Sequence, residues 1–371
     1  MKKTSRRSET LGWFLWQFLL AAGILGLVLS LILPDRHFSQ TENRVLQEFP
    51  DLSSPANDEL ASWFSDQFAG RDTFFKIGYI AKRLTGQSEI NDVYIGKGLL
   101  AQNPAKPNPD HSDQMCAAIQ NFQARTGLPA TVEIVPTSAD INKSKLPAFA
   151  DVPDIDAYLA SLPEKLGSVT FVNPTQTLKD HANEYLYYRT DHHWTSRGAY
   201  YGYTDLAAAK GWAGTNEDEY EVMKAASGFQ GTLASKTGDP FLRDDVDLWV
   251  KKDLPEYVMT RDGKKSRTMY DSEALGKKDK YEVFTGANVG EVTFEMDNDS
   301  GIRLLVFKDS YANSMLQFLI PQCRSITVID PRYYSGNLDT LLKSGMFTEV
   351  LFLYNYQTWM TDRSLTGVIG S

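Results

Sequence analysis

From residue 110 onwards, apolar residues alternate between short unbroken runs and stretches with helical spacing. The runs predict five buried strands: TVEIVPTS (131–138), SVTFV (168–172), IRLLVF (302–307), SITVID (325–330) and EVLFLYN (349–355). Helices are predicted before and between them. One is capped by Asp110 or Ser112 and stops at Gly127, one covers residues 195–210 and is capped by Thr195 or Ser196, and the others cover 153–166, 312–321 and 337–346. This alternation predicts an α/β fold in which helices cover both faces of a mostly parallel sheet, with ligands bound beyond the carboxyl ends of its strands.

A different pattern precedes residue 34. Residues 11–33 carry no charge and would form roughly 34 Å of helix, which is enough to cross a bilayer. Residues 1–10 hold four basic groups and one acidic group, which favours a cytoplasmic location for them. We therefore predict a single-pass membrane anchor, with everything after Pro34 outside the cytoplasm. A cleaved signal peptide is the alternative, but no small-residue cleavage site precedes Pro34.

Two further segments depart from the α/β pattern. Residues 34–110 predict an N-terminal region of helices and turns, including an amphipathic helix over 59–75 that is interrupted at Gly70. A polar, irregular stretch over 214–280 predicts a solvated insertion. The remainder of 111–371 then forms one large domain, and we expect the chemistry there.

Charge and cysteine content exclude some classes of function. The formal net charge is −9 although the first ten residues are basic, so the rest of the chain is acidic. An acidic chain does not fit a nucleic-acid partner, because phosphate binding needs clustered Lys and Arg. The two cysteines, Cys116 and Cys323, form no CxxC pair, which excludes a zinc ribbon or a thioredoxin-like site. They are predicted to be either two buried thiols or a single disulfide.

Ser310 is a candidate nucleophile. It lies in VFKDSYANS (306–314), between a predicted strand that ends at Phe307 and a predicted helix that begins near Ala312. Such a turn places the hydroxyl at the carboxyl edge of the sheet and at a helix N-terminus, whose free N–H groups can stabilise an oxyanion. A plain helix cap at Asp309 or Ser310 would explain the same residues.

The stretch YYRTDHHWTSRGAYY (187–201) offers a base and an acid for that serine. Asp191 and His193 are two positions apart, so they point the same way in an extended segment, and His192 points to the opposite face. A serine nucleophile needs an imidazole and an orienting carboxylate of this kind. A metal-dependent phosphoesterase is the competing interpretation, with His181 as a further ligand, although such sites need more Asp and His ligands in other motifs.

The motifs that contain Asp191, His193 and Ser310, together with several others along the chain, resemble those of the DHHW family. The central motif is YRTDHHWT (188–195), followed by Gly198-Ala199. The other matching motifs, in chain order, are FS (38–39), ENR (42–44), Asp66 with Phe68 and Arg71, YIGK (94–97), GFQGTLASKTG (228–238) and KDSY (308–311). Gln67 stands where a His is common. The family is similar to the alginate O-acetyltransferases of the SGNH hydrolase superfamily. The resemblance covers most of the chain after residue 34 and implies a three-layer α/β/α sandwich with a permuted motif order.

The resemblance also implies a role for each matching residue. Asp191 is the orienting acid, His193 the base and Ser310 the nucleophile. Gly286 and Asn288, in TGAN (285–288), are the expected oxyanion donors. Trp194 is expected to pack beside the site and is counted among the candidates for substrate contact. The other candidates are Arg189, Tyr188, Tyr311 and Lys236, each of which could instead be a packing or surface residue. No cofactor and no catalytic metal are expected.

We therefore expect a membrane-anchored, extracytoplasmic serine enzyme that transfers an O-acyl group, most simply O-acetyl, to a cell-surface or secreted polysaccharide. The resemblance implies that the acetyl donor arrives through a polytopic membrane-bound O-acyltransferase. Two alternatives stay open: a carbohydrate esterase of the same fold, and a catalytically silent glycan-binding or assembly subunit of an envelope complex. The residues that grip alginate in the related enzymes have no confident match, so the glycan itself is not predicted.

Overall fold

The computed structural model describes residues 2–39, 41–42, 44–51 and 57–370, and gives only the backbone of residues 2–12, 15, 19 and 57. Two compact units are distinguished. The smaller unit comprises Met1–Gln87 and Ser235–Pro240, and the larger comprises Ser88–Ala234 and Phe241–Ser371. Asn43 of the predicted ENR motif lies outside the described residues, as do Met1 and Ser371 at the ends of the predicted segments.

The smaller unit is mainly helical. Its elements are α1 (Lys2–Ile32), β1 (Phe38–Ser39), β2 (Arg44–Val45), α2 (Asn57–Gln67) and α3 (Arg71–Leu84). Nearly all of the predicted anchor, residues 11–33, lies in α1. Within the part of the chain that the structure describes, however, no helix combines the length and the apolar character that a membrane span requires. The predicted transmembrane helix is therefore not supported.

The predicted break at Gly70 separates α2 from α3. Gly70 has a φ of +82°, in the left-handed region that favours glycine. Nearby, the buried carboxylate of Asp66 accepts hydrogen bonds from the guanidinium of Arg44 and from the backbone N–H of Gln47, which lies 2.9 Å away. The Arg44 hydrogen bond holds the pKa of Asp66 below its ordinary value although burial opposes this. These contacts tie the β1–β2 hairpin to α2.

The larger unit carries the α/β fold. Its strands are β3 (Glu89–Ile90), β4 (Val93–Ile95), β5 (Leu100–Gln102), β6 (Ala130–Val135), β7 (Thr170–Val172), β8 (Tyr220–Phe229), β9 (Asp244–Lys251), β10 (Tyr257–Arg261), β11 (Lys264–Ser266), β12 (Glu291–Met296), β13 (Arg303–Lys308), β14 (Ser325–Ile329) and β15 (Glu349–Asn355). Its helices are α4 (Pro109–Thr126), α5 (Ser138–Ile141), α6 (Ile155–Leu166), α7 (Thr175–Asp180), α8 (Ser196–Lys210), α9 (Thr232–Thr237, which continues into the smaller unit), α10 (Ala312–Leu319), α11 (Leu338–Ser344), α12 (Tyr356–Thr361) and α13 (Ser364–Ile369). Short 3-10 helices cover Lys143–Lys145, Glu217–Glu219, Ser272–Gly276, Lys280–Val283 and Ile320–Gln322.

The central sheet has eight strands in the order β11-β10-β12-β14-β13-β15-β6-β7. The five strands from β14 to β7 run parallel to their neighbours. The three at the other edge, β12, β10 and β11, are antiparallel. The expected mostly parallel sheet is therefore confirmed, and all five strands predicted from the apolar runs lie in its parallel part.

Side chains of β13 show why the sheet is covered on both faces. Leu304 and Val306 pack into one core with residues of α8 and α10. Leu305 and Phe307 pack into a second core with residues of α4, α6 and α12. Since successive side chains of a strand point to opposite faces, an unbroken apolar run fills both cores. The larger unit is thus built from a helical layer on each side of one sheet.

The helix boundaries follow local chemistry. The cap of helix α4 is Asn108, two residues before the earlier of the predicted caps. Its side chain accepts from the N–H of His111, and Pro109 suits the first helical position. It ends at Gly127, whose φ is +68°. Thr195 caps α8 as predicted, through its hydroxyl and the N–H of Gly198.

The stretch predicted as a solvated insertion, 214–280, contains regular structure. Strands β8 and β9 pair as an antiparallel hairpin whose Phe229 and Trp249 enter the core. Strands β10 and β11 extend the central sheet through β12. The prediction of an irregular segment fails there, because only a few positions of these strands, such as Phe229, Trp249 and Tyr257, are buried, and the exposed positions between them are rich in charged residues.

Both cysteines are free thiols buried in the larger unit. Burial raises the pKa of Cys116 to about 11 and also raises that of Cys323. Of the two predicted states, a pair of buried thiols or a disulfide, the structure shows the buried thiols.

Candidate active site

Ser310 lies at the carboxyl end of β13, in the turn that leads into α10. This position follows from the chain order of a buried strand, a polar turn and an apolar helix. The carboxylate of the preceding Asp309 is buried and accepts from the N–H of Tyr311 at 2.9 Å and from the N–H of Asn355 at 2.8 Å, which fixes the turn against β15. No described residue accepts from the backbone N–H of Ser310.

The segment that carries Asp191 and His193 is a bend and not an extended strand. The N–H of His193 donates to the carboxylate of Asp191 at 3.1 Å, the local geometry by which Asp bonds its own backbone two residues on. Asp244 of β9 fixes the start of the bend by accepting from the N–H groups of Arg189 and Thr190, each at 2.8 Å. The side chains of Asp191 and His193 therefore meet by a turn, and the predicted strand alternation was wrong.

The structure brings Asp191, His193 and Ser310 into one hydrogen-bonded line. Nδ1 of His193 lies 2.5 Å from Oδ1 of Asp191, and Nε2 of His193 lies 2.7 Å from Oγ of Ser310. Asp191 and His193 are buried, whereas Ser310 is partly accessible. An imidazole with a carboxylate on one nitrogen and a hydroxyl on the other is arranged to take a proton from that hydroxyl.

Thr232, at the start of α9, holds the far side of Asp191. Its N–H and its hydroxyl donate to Oδ2 of Asp191 at 2.8 and 2.9 Å. Gly231 lies so close that a Cβ there would come within 2.3 Å of the same oxygen. Burial alone would raise the pKa of Asp191, but the neighbouring charges of His193 and His192 and these hydrogen bonds outweigh it and hold the pKa well below its ordinary value. Asp191 is therefore ionised at neutral pH.

Tyr281 packs against one face of the His193 imidazole. Its ring lies parallel to that of His193, with centroids 3.8 Å apart and 8° between the planes. Its hydroxyl donates to the carbonyl oxygen of Ser310 at 2.9 Å and lies 3.2 Å from Oγ of Ser314. Tyr281 thus contacts both the base and the backbone of the nucleophile turn.

Asn288 lies beside the same turn, with its side chain held in one orientation. Its Oδ1 accepts from Nζ of Lys308 at 2.9 Å and from Nδ2 of Asn313 at 3.2 Å. An ammonium group can only donate, so the contact with Lys308 fixes which end of the Asn288 amide is the oxygen. The amide N–H groups of Asn288 then point away from Lys308, and no described residue accepts from them.

A buried ion pair holds Lys308 in turn. Its Nζ lies 3.2 Å from Oδ2 of Asp330, whose carboxylate also accepts from the guanidinium of Arg332 at 2.6 and 2.8 Å. Burial lowers the pKa of Lys308, and Asp330 opposes this effect. Burial would raise the pKa of Asp330, but Arg332 and Lys308 hold it below its ordinary value. The ammonium of Lys308 thus contacts both Asp330 and Asn288.

Gly286, the other predicted oxyanion donor, has its N–H engaged elsewhere. That N–H donates to the carbonyl oxygen of Glu282 at 2.8 Å. Its φ is +78°, and a Cβ there would come within 2.7 Å of the Arg261 guanidinium, so a glycine is needed for the turn itself. Asn288 and the backbone N–H of Ser310 are the donors that the geometry leaves available.

Three residues predicted at the substrate are closed off from solvent: Trp194, Tyr188 and Tyr311. Nε1 of Trp194 donates to the carbonyl oxygen of Tyr311 at 2.9 Å, and the hydroxyl of Tyr311 donates to the carbonyl oxygen of His192. Tyr188 packs edge-on against Tyr281. Their side chains therefore pack behind the site and do not offer a surface to a substrate.

The remaining two predicted substrate residues are exposed. The guanidinium of Arg189 lies over the ring of Tyr185, 4.9 Å from its centroid. Lys236 lies in α9, in the part of that helix that belongs to the smaller unit.

His192 lies beside His193 instead of facing away from it. The two rings are 3.9 Å apart, and Nδ1 of His192 lies 2.8 Å from the hydroxyl of Thr232. Potential ligand atoms of Asp191, His192 and His193 lie within 4.8 Å of one another, so these three could also hold a metal ion. Both nitrogens of His193 are already engaged, by Asp191 and Ser310. A metal would have to displace one of these two contacts.

A second carboxylate lies close to the pair of Asp191 and His193. Asp279 caps the 3-10 helix that carries Tyr281, by accepting from the Tyr281 N–H at 3.1 Å. Burial and the charge of Asp191 raise the pKa of Asp279 to about 6, against the opposing effect of His193. Asp279 therefore changes charge in the range where an imidazole base operates.

Several residues of this site were not singled out from the sequence. Thr232 and Asn313 lie inside quoted motifs, GFQGTLASKTG and VFKDSYANS, so a signal for them existed. Tyr281 and Asp279 fall at or just after the end of the stretch interpreted as a solvated insertion. Nothing in the spacing there indicates a position beside the active site, because the contact is made by tertiary packing alone.

The fold is that of known bacterial proteins. A DHHW family protein from Eubacterium siraeum aligns with 74% of this chain and 96% of its own, at 23% identity and a TM-score of 0.59. Bacillus cereus PatB1 aligns with 73% of this chain and 97% of its own, at 20% identity and a TM-score of 0.61. A PatB1 structure with a sulfonyl adduct gives 19% identity and the same TM-score. At these identities the likeness establishes the fold. Comparison with curated proteins finds no match.

The sequence itself matches a protein family. The match to the DHHW protein family runs over residues 112–329, which is more than half of the chain. The matched range contains Asp191, His193, Asn288 and Ser310, the residues that the larger unit brings together. The chain belongs to the DHHW protein family.

Proposed function

We propose that this protein transfers an O-acyl group, most simply O-acetyl, to a hydroxyl of a polysaccharide through an acyl-serine on Ser310. The observation that carries the proposal is the continuous hydrogen-bonded line from Asp191 through His193 to Ser310, with contacts of 2.5 and 2.7 Å. Membership of the DHHW family and the resemblance of its motifs to those of alginate O-acetyltransferases support acyl transfer to a glycan over other serine chemistry.

In the first half-reaction, Ser310 Oγ attacks the carbonyl carbon of the acyl donor while Nε2 of His193 takes the hydroxyl proton. The ionised Asp191 stabilises the imidazolium that forms and keeps the proton on Nδ1. The amide N–H of Asn288 and the backbone N–H of Ser310 donate to the oxyanion. The donor's leaving group departs with the proton from His193, and the acyl group stays on Ser310.

In the second half-reaction, His193 removes the proton from an acceptor hydroxyl, whose oxygen attacks the acyl carbon. The acyl–Ser310 bond then breaks, and the proton returns to Ser310. If the acceptor is a sugar hydroxyl, the reaction is acyl transfer. If the acceptor is water, the reaction is hydrolysis and the protein is an esterase. The partly accessible Ser310 admits either acceptor, so the esterase is the second candidate.

The decisive experiment is hydrolysis of p-nitrophenyl acetate by the full-length protein beside Ser310→Ala and His193→Ala, with and without EDTA. We expect turnover by the wild type in both conditions and background rates for both variants. A sulfonyl fluoride should modify the wild type at Ser310 and leave Ser310→Ala unmodified. Three equally inert proteins would favour the silent binding or assembly subunit. Activity lost with EDTA would favour a metal at Asp191, His192 and His193.

Transfer and hydrolysis are separated by supplying an acceptor. With a polysaccharide acceptor present, a transferase makes p-nitrophenol and places acetyl groups on the glycan, which mass spectrometry detects. An esterase makes p-nitrophenol and free acetate at the same rate with or without the acceptor.

The proposal includes a place of action outside the cytoplasm, where a polytopic membrane-bound O-acyltransferase would supply the acetyl group. Protease added to spheroplasts, from which the outer layers of the envelope have been removed, should then digest the protein. Full protection until the spheroplasts are lysed would contradict that placement.

A further inference from the structure

A cavity of about 250 Å³ lies in the larger unit, next to the segment that carries Asp191. Arg189, two residues before Asp191, forms part of its lining, and so does Ser138, the first residue of α5. Since α5 follows the carboxyl end of β6, the cavity opens at the same edge of the sheet as Ser310. Ligands of such sheets bind at this edge. The volume is below the roughly 300–1,000 Å³ of sites for drug-sized molecules and suits one sugar unit.

The lining of this cavity is cationic in an acidic protein. Three basic side chains contribute to it, Lys97, Lys145 and Arg189, and they form no ion pair with any residue that the structure describes. Glu184, the acidic residue of the lining, is already held by Arg197 at 3.1 Å and by His181 at 2.7 Å. The whole chain carries a net charge of −9, so this local excess of positive charge is not a property of the surface as a whole.

Backbone hydrogen bonds fix the basic residues relative to one another. In the turn between β4 and β5, the N–H of Lys97 donates to the carbonyl oxygen of Lys145 at 2.7 Å. At the end of the same turn, the N–H of Leu100 donates to the carbonyl oxygen of Arg189, also at 2.7 Å. One turn therefore holds the three segments that bring the cations together, although they are far apart in the sequence.

Polar groups complete the lining. Nζ of Lys145 lies 2.8 Å from the side-chain oxygen of Asn142, and the Asn142 amide lies 3.2 Å from the hydroxyl of Ser138. Both Asn142 and Ser138 are buried. The guanidinium of Arg189 rests on the ring of Tyr185. Hydroxyl-rich ligands need such donors and acceptors, and a guanidinium in a fixed position is suited to a carboxylate.

We propose that this cavity is a subsite for an acidic sugar unit of the acceptor glycan, with Arg189 and Lys145 binding its carboxylate. The proposal rests on the proposed function, in which a glycan hydroxyl must reach Ser310. It adds the class of glycan, one that carries carboxylates, and a binding position next to the Asp191 segment. Anchoring one unit there would hold a neighbouring unit of the chain near the acyl-serine.

The test measures binding and not turnover. Isothermal titration calorimetry would compare trigalacturonic acid with its trimethyl ester, which has the same sugars without the charges, on the full-length Ser310→Ala protein. We expect the acid to bind at least tenfold more tightly than the ester, with affinity that falls as salt is added. Equal affinities, or no measurable binding of either ligand at millimolar concentration, would overturn the proposal.

Variants then locate the binding position. Lys145→Gln and Arg189→Gln should each weaken binding of the acid by roughly tenfold and leave binding of the ester little changed. The matched control is Lys143→Gln, which removes an exposed charge from the same 3-10 helix but outside the lining, and should bind as the parent does. Equal effects of Lys143→Gln and Lys145→Gln would contradict the assignment to this cavity.

The two proposals fail in different ways. Binding is measured with Ser310 already removed, so an inert enzyme in the hydrolysis experiment leaves this result interpretable. An active hydrolase that binds acid and ester equally would retain the proposed chemistry and lose the acidic subsite.

Discussion

The ring of Tyr281 is stacked on the imidazole of His193 at 3.8 Å, while its hydroxyl reaches the backbone of Ser310. One side chain thus has two separable functions. Tyr281→Phe removes only the hydroxyl, with its contacts to Ser310 and Ser314, whereas Tyr281→Leu removes the stacked ring as well. We expect the Tyr281→Phe variant to lower kcat for p-nitrophenyl acetate by less than about tenfold. The Tyr281→Leu variant should lower it substantially more, because the imidazole of His193 loses its orientation without the stacked ring. Equal losses in the two variants would show that the stacking is unimportant.

Asn288 and Lys308 should act as one unit. Asn288→Ala removes an oxyanion donor and should lower kcat by roughly 10²–10³-fold. Lys308→Met keeps the length of the buried side chain but leaves the Asn288 amide oriented only by the longer, 3.2 Å contact from Asn313 among the described residues. It should therefore also lower kcat with little change in KM. If Lys308 acts through Asn288, adding Lys308→Met to Asn288→Ala should lower kcat little further. Independent losses that multiply would contradict this coupling, and melting temperatures check that each variant is folded.

Asp191→Asn should lower kcat by about 10³–10⁴-fold without unfolding the protein, because an amide can stabilise neither the required tautomer nor the imidazolium. Asp244→Asn is a matched control, since Asp244 is a buried carboxylate that fixes the same bend through backbone N–H groups. It should lower the melting temperature but reduce kcat by less than about tenfold. A larger catalytic loss for Asp244→Asn than for Asp191→Asn would reverse the two roles.

The stability of the protein should depend on Asp279 in a predictable direction. Its pKa is raised to about 6, so its protonated form is favoured by folding. The stabilisation by this residue is complete below the ordinary pKa of an aspartic acid and is lost as the pH rises through about 6. The side chain at position 279 stays neutral at every pH in the Asp279→Asn variant. The melting temperature of the variant minus that of the wild type should therefore increase between pH 4 and about pH 8.

Asp271→Asn is the control for that measurement, because Asp271 caps another 3-10 helix in the same way, by accepting from the N–H of Glu273 at 3.0 Å. Thermal unfolding of the three proteins across this pH range checks the prediction. A constant difference between Asp279→Asn and the wild type at every pH would contradict it.

Local patterns in the sequence predicted most of the fold. Buried parallel strands are short, continuous apolar runs, and helix ends carry caps such as Thr195 and Gly127, so both leave signals within a few residues. Strands β8 to β11 were missed because they have few buried positions or, in β11, none, and exposed charged residues such as Lys224 and Lys264 break up any apolar pattern.

The site residues likewise divide into those that a local motif reveals and those that it does not. Asp191, His193 and Ser310 lie in compact motifs, and their roles could be proposed before their distances were known. The position of Tyr281 depends on which segments pack together, whereas the N–H of Gly286 is engaged by Glu282 in a local turn. Burial of Trp194, Tyr188 and Tyr311 likewise follows from tertiary packing, which residue type alone does not reveal.

The bend of residues 191–193 makes the acid and the base a single local module. Because Asp191 contacts both the backbone and the imidazole of His193, their mutual orientation needs no long-range pairing of strands. Thr232 and Asp244 support this module from later in the chain. The turn of Ser310, 117 positions after His193, adds the nucleophile to it. The order of these two pieces along a chain is then structurally unimportant, so a fold can exchange them by permutation and retain the same chemistry.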